Sequence, residues 1–317
     1  MHLIVPFAAP LSDAGRQALV SLRLPRLASL LARLGEPEVD AGDELSFSPP
    51  HERALARALG WQGGDGALPF AARLAAADGI TPGDLAWGLL TPAHWHLGTE
   101  QVSLLAPDSL QLAEDESRAL FDAVRTLFTS EGFVLAWGAP LRWYAAHESL
   151  AGLRTASLDR VVGRNVDPWL GGVAAARPLQ RLRRLQAEVQ MLLHDHPVNR
   201  EREARGLRPV NSFWLSGCGV AQPETGEPPA VDARLRGPAL AEDWAAWVEA
   251  WHALDAGAVA ELDAAARRGE PIVLTLCGER SAARFGPRPH GPWLRQTWQT
   301  LRSRLAEPAV RPLLESL

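Results

Sequence analysis

Residues 194–219, HDHPVNREREARGLRPVNSFWLSGCG, hold the densest set of polar residues with specific geometry in the chain. The stretch is predicted to end a long amphipathic helix, pass through an arginine-rich turn, enter a short strand and close in a Gly-x-Gly turn at 217–219. Such a turn lets main-chain N–H groups approach an anion, and arginine offers a planar fork that matches carboxylate or phosphate. Two interpretations stay open: an anion site, or an arginine-rich surface loop followed by a glycine turn.

The order of polar residues in this stretch resembles a known signature, that of the archaeal-type cofactor-independent phosphoglycerate mutases in the alkaline phosphatase superfamily. Four residues ahead of the Gly-x-Gly turn carry the resemblance: Asn199, Arg202, Gly206 and Asn211. The segment HPVNREREARGLRPVNSFWLSGCG is closer still to a bacterial offshoot of that family, the RpfE-type regulatory proteins. The resemblance implies an α/β fold with an alkaline-phosphatase-like central sheet flanked by helices and an inserted smaller α+β subdomain.

Composition narrows the classes of protein to which the chain can belong. Its 317 residues are 47% hydrophobic and 22% charged, with a net charge of −5 and a pI near 6.0. This acidic balance argues against nucleic-acid binding, and no apolar run is long enough to span a membrane. The two cysteines, Cys218 and Cys277, indicate reduced thiols rather than a disulfide framework. We therefore expect a cytoplasmic protein with no nucleic-acid or membrane partner.

The domain organisation follows from a change of pattern along the chain. Residues 3–8 form an apolar run followed at once by a helix, which is the opening of an α/β sheet, and residues 271–276 form a second buried strand. From residue 79 onward, short apolar runs alternate with turn residues, as in a meandering sheet. We predict a core α/β domain whose first part is 1–80, an inserted α+β subdomain at 81–194, and the second part of the core at 195–317.

The resemblance implies catalytic groups at three places, and the chain departs from it at each of them. Where the mutases carry a metal-binding Asp after the first strand, this chain has the apolar residues 6–9. At the place of the nucleophilic Ser it has His51, with Glu52 at the place of an acid. After the last strand, where the mutases carry an Asp-His pair, it has the run 277–281, which includes Arg280. In the helical region after residue 239, where the mutases carry Asp and His ligands, the candidates are His252, Asp255 and Asp263.

These departures predict a catalytically degenerate protein without metal or other cofactor, because two-metal phosphoryl transfer needs several carboxylate and imidazole ligands converging on one site. We expect a regulatory role in which the protein binds a phosphorylated metabolite or a protein partner. The candidate ligand-binding residues are Asn199, Arg202, Asn211, Gly217, Gly219 and Arg280.

An active enzyme is the alternative. In that hypothesis His51, beside Glu52, carries a metal-independent phosphoryl transfer, and Arg202 and Arg280 replace the charge of the metal ions. The sequence also leaves open that His51 is a helix-start histidine with a solvated neighbour.

Overall fold

The computed structural model describes residues 1–98, 101–170, 177–288 and 310–317. The strands, in chain order, are β1 His2–Val5, β2 Glu38–Asp40, β3 Ala86–Ala93, β4 Trp95–Leu97, β5 Val102–Leu104, β6 Val134–Ala139, β7 Arg142–Ala146, β8 Ser212–Val220, β9 Ala230–Val231, β10 Val273–Cys277 and β11 Ala282–Phe285. The helices are α1 Asp13–Ser21, α2 Pro25–Leu31, α3 Pro50–Leu59, α4 Phe70–Ala77, α5 Glu114–Ser130, α6 Leu158–Val161, α7 Asp167–Leu170, α8 Arg177–His194, α9 Pro197–Ala204, α10 Arg236–Leu240, α11 Trp244–Leu254, α12 Ala260–Arg267 and α13 Val310–Glu315. Within these ranges, no helix has both the length and the apolar character needed to cross a membrane.

The chain divides into two compact units. Unit 1 comprises Met1–Glu44, Pro49–Gly60 and Glu224–Leu317, and unit 2 comprises Leu45–Ser48 and Trp61–Pro223. The boundaries differ from the predicted ones, because residues 61–80 and 195–223 belong to unit 2. The physical reason is strand pairing: β8 lies along β3 in one antiparallel sheet, and α4 packs on both strands.

Unit 1 is built on a mixed sheet with strand order β2-β11-β10-β1-β9 in the part that the structure describes. β1 runs parallel to β10 and β9, and β11 runs antiparallel to β10 and β2. One sheet face buries Leu3 and Leu274 against a core that contains Trp247 and Trp251 of α11. On the opposite face, Ile4 packs against α3. The predicted α/β class, a central sheet flanked by helices, is therefore confirmed.

Unit 2 contains an antiparallel sheet of order β6-β7-β3-β8 and a hairpin of β4 and β5 within its described residues. One face of the sheet packs against α5 and α8, whose buried residues include Phe128 and Val189. The other face packs against α4, where Ala71 and Ala75 are fully buried beside Tyr144 of β7. Small residues on α4 let this helix approach the strands closely.

The predicted Gly-x-Gly turn at 217–219 is wrong, because these residues continue β8. The register between β3 and β8 shifts between Trp87 and Leu89, which marks a β-bulge. Gly217 adopts a φ of +65°, in the left-handed region, and a Cβ added to it would lie 2.9 Å from the main-chain nitrogen of Ala71. A glycine is needed here for both reasons, backbone conformation and close packing of α4.

Candidate functional site

The guanidinium of Arg202, the centre of the predicted anion site, is turned into the protein. Its side chain is 0% exposed. Nη1 donates to the carboxylate of Glu116 on α5, Nη2 donates to the carbonyl of Leu110, and Nε donates to the carbonyl of Arg208 at 3.0 Å. Arg205 contacts the same carboxylate from a more exposed position. These contacts favour a structural role for Arg202 over an anion site.

Glu116 is held in its charged form by this arrangement. Burial acts to raise the pKa of Glu116, but hydrogen bonds from Arg205 and the Ala113 N–H, together with the charge of Arg202, lower that pKa below its ordinary value. The carboxylate thus balances the buried guanidinium at neutral pH, so the ion pair is complete without an external anion.

Both asparagines of the stretch also bond inward. The Asn199 amide donates to the carbonyls of Leu193 at 2.8 Å and Val210 at 2.7 Å, and its oxygen accepts from the Val210 N–H at 2.9 Å. The Asn211 side chain makes the same type of double contact with the main chain of Trp95, at 2.8 and 2.9 Å. The pattern that resembles the mutase signature therefore closes the loop between α8 and β8 and ties it to β4.

The remaining predicted residues lie in other places. Gly217 and Gly219 lie on the bulged strand β8 in unit 2, whereas Arg280 belongs to unit 1, where its Nε donates to Glu44 at 2.6 Å. His51 and Glu52 lie in the first turn of α3 in unit 1. The structure thus brings together the residues of the 199–211 loop, but it does not gather the six candidate ligand-binding residues inside one unit.

His51 packs against Phe7, which lies two residues after the end of β1. Its ring centroid lies 5.4 Å from that of Phe7, and Phe7 has a φ of 55°, unusual for a non-glycine residue. The carbonyl of Phe7 accepts a hydrogen bond from the indole N–H of Trp247 at 3.0 Å. The run 6–9, where the resemblance implies a metal-binding carboxylate, therefore contains a buried phenyl ring instead.

The candidate metal ligands of the later region carry structural contacts. Asp255 accepts hydrogen bonds from the N–H groups of Arg26 and Leu27, at 3.2 and 2.8 Å, and so caps α2. Asp263 is 2% exposed and accepts from Ser29, Arg33 and Arg267. His252 lies exposed on α11. Throughout the described ranges, no three His, Cys, Asp or Glu side chains lie close enough together to bind one metal ion.

A cavity of ≈ 380 Å³ lies in unit 1 on the sheet face that carries α3. Strand alternation explains its lining: Leu3 points into the core, so the neighbouring His2 points to the opposite face. Cross-strand neighbours then line up on that face, because Thr275 pairs with Arg284 and Arg284 pairs with Glu38. The full lining is His2, Glu38, Asp40, Ala54, Arg57, Ala58, Thr275, Ala282 and Arg284.

Both charged and neutral polar side chains line this cavity. Arg284 contacts Glu38 at 3.1 Å, and Arg57 lies 3.6 Å from Asp40. The His2 imidazole contacts the Thr275 hydroxyl at 2.9 Å. Burial, followed by the charge of Arg284, lowers the pKa of His2 to about 4, so this imidazole is neutral at physiological pH. The cavity therefore offers two cations, two carboxylates and one neutral hydrogen-bonding pair.

Sequence reasoning missed this cavity. Its residues come from five elements, β1, β2, α3, β10 and β11, and no local motif connects them. The available signal was weak: Thr275 is a single polar residue inside the apolar run IVLTL, and His2 precedes an apolar strand. Only the pairing of β1, β10, β11 and β2 brings these residues onto one face.

Neither a protein-family model nor a curated protein matches the chain. Among solved structures, it is similar to a cofactor-independent phosphoglycerate mutase from Thermoplasma acidophilum DSM 1728, with 16% identity, a TM-score of 0.32, and coverage of 92% of this chain and 90% of that chain. It is also similar to the PH0037 protein from Pyrococcus horikoshii, with 11% identity, a TM-score of 0.45, and coverage of 90% and 87%. At these scores and identities, neither likeness indicates what this chain does.

Proposed function

We propose that this protein is a catalytically degenerate, phosphoglycerate-mutase-like protein that acts by binding a small ligand rather than by transferring a phosphoryl group. The observation that carries the proposal is that Asp255 and Asp263 make structural hydrogen bonds. Both carboxylates are at least nine-tenths buried and accept hydrogen bonds that hold α2. To bind a metal ion, they would have to give up these contacts.

The energetic cost of losing these contacts argues against a two-metal site at Asp255 and Asp263. Loss of a side-chain cap costs about 0.5–2 kcal/mol, and a buried charge that loses its partners costs more. Two-metal phosphoryl transfer also needs several such ligands converging on one point. In unit 1, Asp255 caps the start of α2. Asp263 instead contacts Ser29 in α2 and Arg33 just after it, so the two carboxylates hold different parts of this helix region.

A second function, metal-independent phosphoryl transfer through His51, is supported by the position of this residue in the first turn of α3. The N-terminal end of a helix favours a phosphate, because its N–H groups and dipole point towards it. The two functions differ in a covalent product. Incubation with acetyl phosphate, followed by mass spectrometry of intact protein, should reveal a phosphohistidine that is absent from His51→Ala if the second function is correct.

The proposed function is tested by assaying mutase and phosphatase activity with added Mn²⁺ or Zn²⁺, beside His51→Ala, Asp255→Asn and Asp263→Asn. We expect no turnover above background in any of these proteins. We also expect thermal stabilisation by at least one member of a panel of small metabolites that includes phosphorylated three-carbon acids, because a ligand that binds only the folded state stabilises it. Metal-dependent turnover that disappears in Asp255→Asn or Asp263→Asn would overturn the proposal.

A further inference from the structure

We propose that the unit 1 cavity binds a small zwitterion, a molecule of the amino-acid class that carries one carboxylate and one ammonium group. This inference rests on the proposed ligand-binding function and adds the site and the chemical class of the ligand. Three features of the cavity support it: its size, the balance of its charges and its neutral polar pair, His2 and Thr275.

The cavity has the size and construction of a small-molecule site. Its volume of ≈ 380 Å³ lies in the range of about 300–1,000 Å³ that is usual for ligand pockets. Its walls are strands β1, β2, β10 and β11 and helix α3, so the lining positions are fixed by main-chain hydrogen bonds. Three alanines, Ala54, Ala58 and Ala282, leave the space that longer side chains would fill.

The charges that line the cavity favour a ligand with both signs of charge. Arg57 of α3 and Arg284 of β11 supply two positive charges, and Glu38 and Asp40 of β2 supply two negative ones. A dianion bound to the guanidinium groups would lie beside two carboxylates and be repelled by them. A zwitterion instead places its carboxylate against an arginine and its ammonium group against β2. Like-charge repulsion at β2 thus selects against simple anions.

The charged groups can exchange their present partners for a ligand. Arg57 is 58% exposed, and its 3.6 Å separation from Asp40 is longer than a hydrogen bond. Glu38 is 72% exposed, so its contact with Arg284 is a surface ion pair of small net value. Asp40 also accepts from Arg53 at 3.0 Å, which holds this carboxylate in place at the cavity wall.

The neutral pair of His2 and Thr275 completes the site. Their hydrogen bond of 2.9 Å lies on the same sheet face as Arg284. An imidazole and a hydroxyl offer both donor and acceptor atoms without adding charge. They suit a polar group on the ligand, while the three alanines suit its apolar part.

The test is isothermal titration calorimetry of the full chain with each of the twenty standard amino acids alone. Sodium phosphate, sodium acetate and methylammonium chloride serve as single-sign probes. We expect at least one amino acid to bind and the single-sign probes to bind at least tenfold more weakly. Arg57→Ala and Glu38→Gln should each lower the affinity for that amino acid about tenfold or more. Arg16→Ala is the matched control, an exposed arginine of α1 paired with Asp13, and it should leave the affinity unchanged.

A cavity-filling variant tests the location without changing any charge. Ala58→Leu should abolish binding, whereas Ala14→Leu, an exposed alanine of α1 outside the cavity, should leave it unchanged. Melting curves of all variants establish that they are folded. If the amino acid binds Ala58→Leu as tightly as wild type, the assigned site is wrong although the ligand-binding function stands.

Two other outcomes also overturn the inference. If phosphate binds and Ala58→Leu abolishes this binding, the cavity takes a simple anion and the zwitterion class is wrong. If no probe binds the wild-type protein, the inference fails in both site and class, whereas the proposed non-catalytic function is decided separately by the turnover assays.

Discussion

Replacing Arg202 with alanine separates the two interpretations of the 199–211 loop. The guanidinium is 0% exposed and contacts one carboxylate and two carbonyls. Removing one partner of a buried ion pair costs about 3–5 kcal/mol, because the remaining charge is left without compensation. Since Arg205 still contacts Glu116, we place the loss at the lower end of this range, about 3–4 kcal/mol.

The assay is thermal or urea unfolding of the full chain. For a unit of this size, 1 kcal/mol shifts the melting temperature by about 2–4 °C, so Arg202→Ala should lower it by roughly 10 °C. Arg205→Ala is the matched control, because this arginine contacts the same carboxylate but is 56% exposed. Its removal should cost only about 0–1 kcal/mol.

A double variant sharpens the test. Glu116→Gln in the Arg202→Ala background removes the charge that the single variant leaves unpaired, so part of the lost stability should return. The reasoning is refuted if Arg202→Ala melts within about 1 °C of wild type, since a removed buried partner should cost several times more. If that variant also loses stabilisation by phosphate, the loop is an anion site after all.

Three further changes test other parts of the structure. Gly217→Ala should destabilise the protein by about 2–4 kcal/mol in urea unfolding, because backbone strain at positive φ adds to a clash with Ala71. The control is Gly163→Ala, which is also at positive φ but has open space around it, and it should cost only about 1 kcal/mol. Asp255→Ala should cost about 1–2 kcal/mol by uncapping α2, whereas an unchanged unfolding midpoint would show that the cap contributes nothing. The pKa of His2 falls from 6.5 to about 4 on folding, so the unfolded chain binds more protons between these values. The free energy of unfolding should therefore decrease as the pH falls from 6.5 towards 4. In His2→Asn this decrease should be about 1–2 kcal/mol smaller than in the wild type. The same pH dependence of unfolding in both proteins would contradict this role of His2.

The local elements of the fold could be predicted from the sequence, because their signals are local. The apolar runs at 3–8 and 271–276 predict buried strands, and the structure has β1 and β10 there. The unit boundaries could not be predicted, since they depend on the pairing of β3 with β8 across more than a hundred residues.

The contacts of the candidate site residues also depend on distant parts of the chain. Hydrogen bonds of Asn199 and Arg202 hold the 199–211 loop in one shape, but the spacing of its polar residues does not show which partners they contact. The carboxylate that holds Arg202 lies 86 residues away, on α5. In the same way, the cavity exists only because the sheet order places β11 and β2 beside β10 and β1. Both features depend on long-range contacts, and no local pattern records them.

The discontinuity of unit 1 has a consequence for synthesis on the ribosome. β1 leaves the ribosome first, but its hydrogen-bonded neighbours β9 and β10 begin at Ala230 and Val273. At about 5–20 residues per second, the β10 partner of His2 emerges roughly 15–50 s later. Most of unit 2 is encoded by the contiguous segment Trp61–Pro223, so it can fold within that interval. Until those strands emerge, β1 has no neighbour in the sheet of unit 1, and transiently exposed apolar strands of this kind are prone to aggregate during folding.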